Sequence, residues 1–203
     1  MNAICVGWNT KMTKADSFSQ RIHLALVHYP VYNKEGDIIA SALTTIDIHD
    51  FARIARTYRL GGFWVVTPLQ SQKDLLDRMV RHWTDGFGAT YNPNRKEALQ
   101  VLEVADTIGE MTERIQTMTG NPVRCLATSA RSYPDSIDIP DLAEIIRGSP
   151  DAFVLLFGTG WGLTESVIGD CEGVLTPIRP YGYNHLSVRS AASIICDRLI
   201  GDE

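Results

Sequence analysis

The residues best suited to bind a ligand lie in three loops, each of which directly follows an apolar segment. Residues 157–164 (FGTGWGLT) carry three alternate glycines, residues 177–187 (PIRPYGYNHLS) are polar and aromatic, and residues 127–131 (ATSAR) are mostly small. Glycines and other small residues let the backbone approach a ligand closely and offer it their N–H groups. The three loops therefore predict a binding site built largely from main chain.

The glycine loop does not match the common nucleotide-binding motifs. Its spacing is Gly-x-Gly-x-Gly, and the next apolar run ends in Pro177-Ile178-Arg179, where a dinucleotide fold needs an acidic residue for the ribose. A phosphate loop would end in Gly-Lys-Ser/Thr, and this loop does not. Other roles stay open: a tight turn without a ligand for the glycines, a helix N-cap for Ser187 and a hydrogen-bonded structural role for His185.

The composition is that of an ordinary globular protein. The chain has 203 residues with 19 Lys and Arg against 24 Asp and Glu, so its net charge of −5 excludes a basic nucleic-acid arm. The longest uncharged apolar run, residues 152–164, is too short to span a membrane, and no secretory leader is recognisable, so we expect a cytoplasmic protein. The Cys and His residues lack the spacing of a metal site, and no metal is expected.

Alternating apolar patterns predict the elements that position the loops. Near-continuous apolar runs, typical of strands buried on both faces, lie at residues 22–27, 63–67, 100–104, 123–128, 153–157 and 173–178. Helical spacing predicts helices at residues 47–58, 71–83, 108–118, 141–147, 164–168 and 188–200, with a short one from residue 96.

Strands that alternate with helices in this way predict an α/β fold with a mainly parallel sheet and helices on both faces. Ligands bind such sheets at the carboxyl ends of the strands, where the three loops begin. We expect residues 1–20 to form a loosely held leader and residues 21–203 a single domain.

Taken together, the three loops resemble those of the SPOUT class of S-adenosylmethionine-dependent RNA methyltransferases. The likeness is closest to a bacterial branch of stand-alone, predicted RNA methyltransferases, and it covers about residues 21–200, including the segments LALVHYPVYNKEG, FARIAR and GATYNPNRKEAL. Sugar-methylating relatives carry Gly-Ser-Glu-Gly and Asn-Val-Ser where this chain has Gly158-Thr-Gly-Trp and His-Leu-Ser187. Arg59, at a predicted helix end, also stands where glycine would be expected.

The resemblance implies a topology, a cofactor and an assembly. The C-terminal segment would thread through a loop as a deep trefoil knot, and S-adenosylmethionine would bind in the knot with its adenine held by backbone groups. A homodimer, with the last helix and the first helices as contacts, would complete the cleft. The residues that would bind the cofactor are Thr128, Ser129, Phe157, Gly158, Thr159, Gly160, Gly162, Leu163, Ile178, Tyr183, Asn184, His185, Leu186 and Ser187.

The resemblance also suggests which residues act near the methyl acceptor. Arg53 and Arg56 correspond loosely to an arginine that sugar-methylating relatives use, although both could simply lie on a solvated helix face. Arg131 could hold a phosphate or only cap the sheet edge. Because the sulfonium of the cofactor is already an activated electrophile, few strongly chemical side chains are expected, and the sequence assigns no general base.

A candidate RNA surface includes the second half of the second predicted helix and the segment that follows it. Cations that could contact phosphates and rings that could stack on bases alternate there, and its members are Arg78, Arg81, His82, Tyr91, Arg95 and Lys96. Trp83 and Phe87 lie among them and could instead be buried, and the net charge of −5 makes such a local cluster necessary for RNA binding.

The resemblance thus predicts a methyltransferase that acts on a structured RNA, tRNA or rRNA. Two other functions stay open from the residues alone. One is a nucleotide-binding oxidoreductase that uses the Gly158–Gly162 loop, and the other is a non-catalytic RNA-binding module of the same fold.

Overall fold

A computed structural model describes residues 16–86 and 90–201, and its elements follow the predicted alternation of strands and helices. The helices are α1 (Asp16–Ser19), α2 (Thr45–Thr57), α3 (Gln70–Thr84), α4 (Pro93–Leu99), α5 (Ile108–Thr119), α6 (Ile139–Gly148), α7 (Glu165–Gly169) and α8 (Val188–Ile200). The strands are β1 (Ile22–Val27), β2 (Val31–Tyr32), β3 (Ile38–Ile39), β4 (Gly62–Val66), β5 (Leu102–Ala105), β6 (Val123–Ala127), β7 (Ala152–Gly158) and β8 (Gly173–Val174).

The apolar runs form a six-stranded sheet in the order β5-β4-β1-β7-β6-β8, and each adjacent pair is parallel. Strand β1 lies between β4 and β7, with Leu24 opposite Phe63 on one side and Leu155 on the other. The short strands β2 and β3 form a separate antiparallel pair. Because both faces of β1 are covered, its sequence is apolar almost throughout and shows no alternation.

Helices cover both faces of the sheet. Leu24 and Leu26 of β1 belong to a core that includes α2, α6 and α8, whereas Ala25 and Val27 belong to the opposite core, which includes α5 and α7. Phe51 of α2 stacks on Phe63 at a centroid distance of 5.2 Å, and so joins α2 to β4. The predicted α/β class, with a parallel sheet covered by helices on both faces, is confirmed.

The last strand is shorter than predicted. The sequence pattern suggested a strand over residues 173–178, but β8 ends at Val174. Beyond it, the Leu175 N–H still donates to Ala127 (2.9 Å), whereas the Thr176 N–H donates to Ile137 of a loop (3.0 Å). Pro177 has no N–H to continue the ladder, so the chain leaves the sheet and enters the loop that the sequence analysis singled out.

The end of the predicted leader belongs to the core. Phe18 of α1 is buried against the α2 side of the sheet, and the Arg147 guanidinium lies 5.1 Å from the centre of its ring. Residues 1–15 lie outside the described part of the chain. Within that part, none of the helices has the length and apolar character needed to cross a bilayer, and no three metal-ligating side chains come together.

Candidate functional site

The three loops meet in one cavity of about 990 Å³ at the carboxyl ends of β1, β6 and β7. Every residue predicted to bind the cofactor lines this cavity, from Thr128 and Ser129 through the glycine loop to residues 178 and 183–187. The structure thus brings together segments that lie far apart in the sequence. A parallel sheet explains the convergence, because all its strands end at the same edge.

Glycines fix the shape of the loop after β7. Gly160 and Gly162 adopt left-handed backbone conformations, with φ of 58° and 103°. A Cβ atom at Gly158 would lie 2.5 Å from the Leu163 nitrogen, and one at Gly160 would lie 2.8 Å from the Tyr32 carbonyl oxygen. Gly158 and Gly160 are therefore required by the packing of the loop on itself and on β2, whereas the space beside Gly162 is open.

The other two loops are held by side-chain hydrogen bonds. The Thr128 hydroxyl donates to the Leu156 carbonyl oxygen (2.9 Å), and the Asn184 side-chain amide donates to the Ala130 carbonyl oxygen (2.7 Å). Ser187 caps α8 by accepting from the Ser190 N–H (3.3 Å), as its position in the sequence suggested. The Asn184–Ala130 bond ties residues 183–187 to the segment after β6.

A partly buried chain of polar side chains, which the sequence did not predict, connects the glycine loop to β1. The Thr159 hydroxyl donates to the Val27 carbonyl oxygen (2.9 Å), so its oxygen accepts from Ser41 (2.5 Å). The Ser41 oxygen in turn accepts from His28 Nδ1 (2.8 Å). Because each group in this chain donates to the next, the ring proton of His28 lies on Nδ1 and Nε2 is left as an acceptor. Nε2 has no hydrogen-bond partner within the described structure.

His28 is uncharged at neutral pH because burial lowers its pKa to about 4, against the opposing attraction of Asp47. Both residues line the cavity. His28 could have been noticed as the polar residue that directly follows the central apolar strand, but the other partners in the chain carry no sequence signal.

An ion pair at the cavity wall joins two helices. Asp47, in the first turn of α2, accepts from Arg189 (2.7 Å), and Arg189 in the first turn of α8 also reaches Asp50 (3.3 Å). The Asp47 side chain is only 13% exposed and also accepts from the Thr44 hydroxyl. The pair fixes the start of α8, directly after the loop that ends at Ser187.

The three arginines predicted to act near the acceptor lie in different places. Arg131 lines the cavity, and its guanidinium lies 3.7 Å from Glu165. Arg53 is exposed on α2, and Arg56 pairs with Glu97 of α4. Neither Arg53 nor Arg56 lines the cavity of its own chain.

The residues of the predicted RNA surface lie on α3, on α4 and before α4, and none of them lines the cavity. The Arg95 guanidinium lies 4.2 Å from the centre of the Trp83 ring, and His82 meets the same ring edge-on at 5.0 Å. Trp83 is only partly buried, so the alternative that its ring is simply buried in the core does not hold. Phe87 lies outside the described residues.

The cavity fits the adenosyl cofactor that the resemblance implied. Its volume suits a ligand of that size, and it combines apolar side chains such as Ile178, Leu186 and Ile195 with hydroxyl groups and main chain from the three loops. The open space at Gly162 leaves room beside the backbone for a ligand. The loops at residues 127–131, 157–163 and 178–188 would hold it.

Comparisons with known proteins show which family the chain is similar to. A family described as SAM-dependent RNA methyltransferase matches residues 21–201. A protein of Oleidesulfovibrio alaskensis named tRNA (guanine-N(1)-)-methyltransferase is 44% identical over 193 residues, which make up 95% of this chain but only 45% of the relative. A second protein of that name, from Nitratidesulfovibrio vulgaris, is matched over 43% of its length, so the chain spans less than half of these relatives. An uncharacterized protein of Aquifex aeolicus is 35% identical and matches over 89% of both chains.

Solved structures show the same fold at low sequence identity. A putative methylase family protein from Neisseria gonorrhoeae has a TM-score of 0.61 and 16% identity, with 95% of this chain and 87% of that chain covered. The TrmH/SpoU tRNA modifying enzyme of A. aeolicus has a TM-score of 0.53 and 10% identity, with 92% and 78% covered. The SPOUT resemblance of the sequence is thereby confirmed at the level of fold.

The family match covers nearly all of the described chain, and it agrees with the function and cofactor that the SPOUT resemblance implied. The chain therefore belongs to the family of SAM-dependent RNA methyltransferases, with S-adenosylmethionine as its cofactor.

Proposed function

We propose that the chain binds S-adenosylmethionine in the cavity formed by residues 127–131, 157–163 and 178–188 and methylates a tRNA in the cytoplasm. The convergence of these three loops in one cavity carries the proposal. The tRNA substrate is supported by the names of two relatives at 44% identity, although this chain corresponds to less than half of each of them. The threading of the C-terminal segment as a trefoil knot, formed by the three loops, stays a prediction.

The side chains around the cavity suit a reaction that needs positioning more than acid–base strength. The bound cofactor supplies a methyl group on a sulfonium, which is already activated for transfer. The glycine loop and residues 183–187 hold the ligand through main chain and hydroxyls, and neutral His28 offers an acceptor nitrogen without adding a charge. Their task is to align the methyl group with the acceptor.

The surface of α3 and α4 is the proposed contact with the body of the RNA. Arg78 and Arg81 are exposed on α3. Arg95 of α4, which belongs to the same predicted surface, lies over the ring of Trp83. Guanidinium groups and exposed rings suit phosphates and unstacked bases. A cluster of this kind allows RNA binding by a chain with a net charge of −5.

The proposed enzyme is a homodimer in which each cavity is completed by the partner. Arg53 and Arg56 lie away from the cavity of their own chain, so a role near the acceptor requires that they reach the cavity of a second copy. This arrangement matches the closed two-fold symmetry that most soluble oligomers adopt.

Transfer of radioactive methyl groups tests the proposed function. The purified protein is incubated with labelled S-adenosylmethionine and with tRNA or rRNA from a strain that lacks the gene. We expect label in the tRNA, and nucleoside analysis will identify the base or ribose modified. Absence of label from both RNA classes contradicts the proposal. Arg78→Ala combined with Arg81→Ala should weaken tRNA binding and leave cofactor affinity unchanged.

Mixed dimers test the shared site. Gly160→Val is intended to block cofactor binding, and Arg53→Ala with Arg56→Ala to block acceptor positioning, so each protein alone should be inactive. Random mixing should restore about a quarter of wild-type activity, because half of the dimers are mixed and each contains one intact site. If each arginine acts in its own chain, mixing restores nothing.

A further inference from the structure

A second, smaller groove of about 350 Å³ lies beside the cofactor cavity. Two residues, Trp161 and Arg131, line both spaces, so the groove and the cavity share a wall. The remaining lining comes from the β2–β3 turn and from α7 and includes Lys34 and Glu165. Neither the predicted cofactor residues nor the predicted RNA surface includes Trp161 or Lys34.

Trp161 presents its ring to solvent from a fixed backbone. Its N–H donates to the Tyr32 carbonyl oxygen (2.9 Å), and the left-handed residues Gly160 and Gly162 lie on either side of it. The residue is nevertheless 58% exposed, so the indole is not held in the core. Tryptophan has a large apolar surface that favours burial, and an exposed ring at the rim of a cofactor cavity indicates a stacking surface for a ligand.

The charges in the groove favour an anionic ligand. Lys34 is exposed and forms no ion pair within the described residues, and the Arg131 side chain is 66% exposed. The carboxylate of Glu165 opposes them but is engaged: it lies 3.7 Å from Arg131 and accepts from the Tyr133 hydroxyl (3.2 Å). The groove is thus lined by two cations and one carboxylate, and the carboxylate is paired with one of the two cations.

We propose that this groove holds the acceptor nucleotide of the RNA in an extruded conformation, with its base stacked on Trp161 and its flanking phosphates at Lys34 and Arg131. The inference rests on the proposed function and adds the substrate subsite to it. A base inside a folded RNA is stacked on its neighbours, so it must leave that stack to reach a buried methyl donor. Stacking on an exposed indole takes the place of stacking on the neighbouring bases, and the shared wall places the nucleotide next to the cofactor.

Binding of fluorescently labelled tRNA, in the presence of saturating S-adenosylhomocysteine, tests the subsite. Trp161→Ala should raise the Kd for tRNA about tenfold, and Trp161→Phe should retain most of the affinity because it keeps a ring. Lys34→Gln should weaken binding and lower the slope of log Kd against log salt by about one, as expected when one phosphate loses its cation. Met118→Ala removes an apolar residue of similar exposure (61%) from α5 and should change nothing.

Two further measurements identify the occupant. Affinity for S-adenosylhomocysteine, measured by calorimetry on the same proteins, should be the same in Trp161→Ala as in the wild type. A loss of cofactor affinity would assign the ring to the cofactor wall, and a change from dimer to monomer in light scattering would assign it to a second copy of the chain. Either result overturns the inference.

The failure of the subsite is distinguishable from failure of the function. If the wild type methylates tRNA and Trp161→Ala binds and methylates it equally well, only the subsite is wrong. If the wild type neither binds nor methylates RNA, both proposals fall.

Discussion

Glycines lie at both ends of the parallel sheet, and the atoms that a side chain would meet differ between the ends. At the amino end, a Cβ atom on Gly61 would lie 2.2 Å from the Gln20 carbonyl oxygen and 2.7 Å from the His23 ring. At the carboxyl end, a Cβ atom on Gly160 would meet the Tyr32 carbonyl oxygen at 2.8 Å. Gly61 leaves space for the Gln20 carbonyl oxygen and the His23 ring, whereas Gly160 lets the glycine loop after β7 pack on β2.

The histidines at the two ends of β1 differ in the same way. His23 and His28 are both buried, and burial lowers the pKa of each to about 4. His23 has no hydrogen-bond partner at either ring nitrogen within the described structure, whereas His28 ends the chain that runs through Ser41 to the glycine loop. Residue type and burial therefore do not distinguish a packed histidine from one that shapes a site; the polar partners do.

The largest expected effect is at the amino end. Gly61→Ala should lower the free energy of unfolding by about 3 kcal/mol or more, because the new methyl group meets a backbone carbonyl that cannot move without shifting β1. Chemical denaturation measures the change. Gly148→Ala, where no atom lies within 4 Å of the new methyl group, is the matched control and should not destabilise the protein. A stable Gly61→Ala protein would contradict the packing at this end.

The next largest effect should be on the affinity for the cofactor rather than on the stability of the protein. Gly160→Val should lower affinity for S-adenosylhomocysteine by about a hundredfold or more, because the loop must move away from β2 and misplaces the groups that hold the ligand. Gly120→Val places the same residue at another left-handed position (φ 72°), at the end of α5 and away from the cavity. Calorimetry should find the affinity of this control unchanged. Equal affinity in both proteins would remove the glycine loop from the site.

The pH dependence of stability separates the two histidines. Histidine in the unfolded chain takes up a proton near pH 6.5, but His23 in the folded protein takes one up only near pH 4. The contribution of His23 to the free energy of unfolding is therefore complete above pH 6.5 and is lost as the pH falls from 6.5 to 4. That loss should reach about 3 kcal/mol for His23, and His28 should add a similar loss. His23→Leu should therefore reduce the fall in stability, measured by denaturation between these pH values, by about 3 kcal/mol.

A measurement with ligand sharpens this experiment. Adding S-adenosylhomocysteine should stabilise wild type and His23→Leu equally, since His23 lies at the end of β1 remote from the cavity. A profile of His23→Leu that matches the wild type would show that His23 is not held neutral by burial.

The sequence predicted those parts of the fold that have a local signal. Apart from His23, strands β1 and β7 are apolar because both of their faces are buried, and the glycine loop after β7 is recognisable from its composition. The early end of β8 has no such signal, because the partner that captures Thr176 is Ile137, in a distant loop. Strand length there depends on tertiary hydrogen bonds.

The polar wall of the cavity was beyond sequence prediction for the same reason. The Ser41–Thr159 bond joins residues 118 positions apart, and the Asp47–Arg189 pair joins residues 142 positions apart. Serines, threonines and surface ion pairs are too common for one sequence to identify which of them meet. The loops that end strands could be predicted because the sheet brings them together, whereas the side chains that meet between them could not.

The smallest expected effect is at Arg59, which lies near the amino end of the sheet where a glycine was expected. Arg59 follows α2 with a left-handed backbone (φ 52°), at the position where the family resemblance led us to expect glycine. Arg59→Gly should raise the free energy of unfolding by about 1 kcal/mol, because a side chain is disfavoured in this conformation and glycine is not. Thr57→Gly, two residues earlier at the end of the helix, should instead lower it by about 0.3 kcal/mol. A loss of stability in Arg59→Gly would mean that the interactions of the arginine side chain outweigh the strain in its backbone.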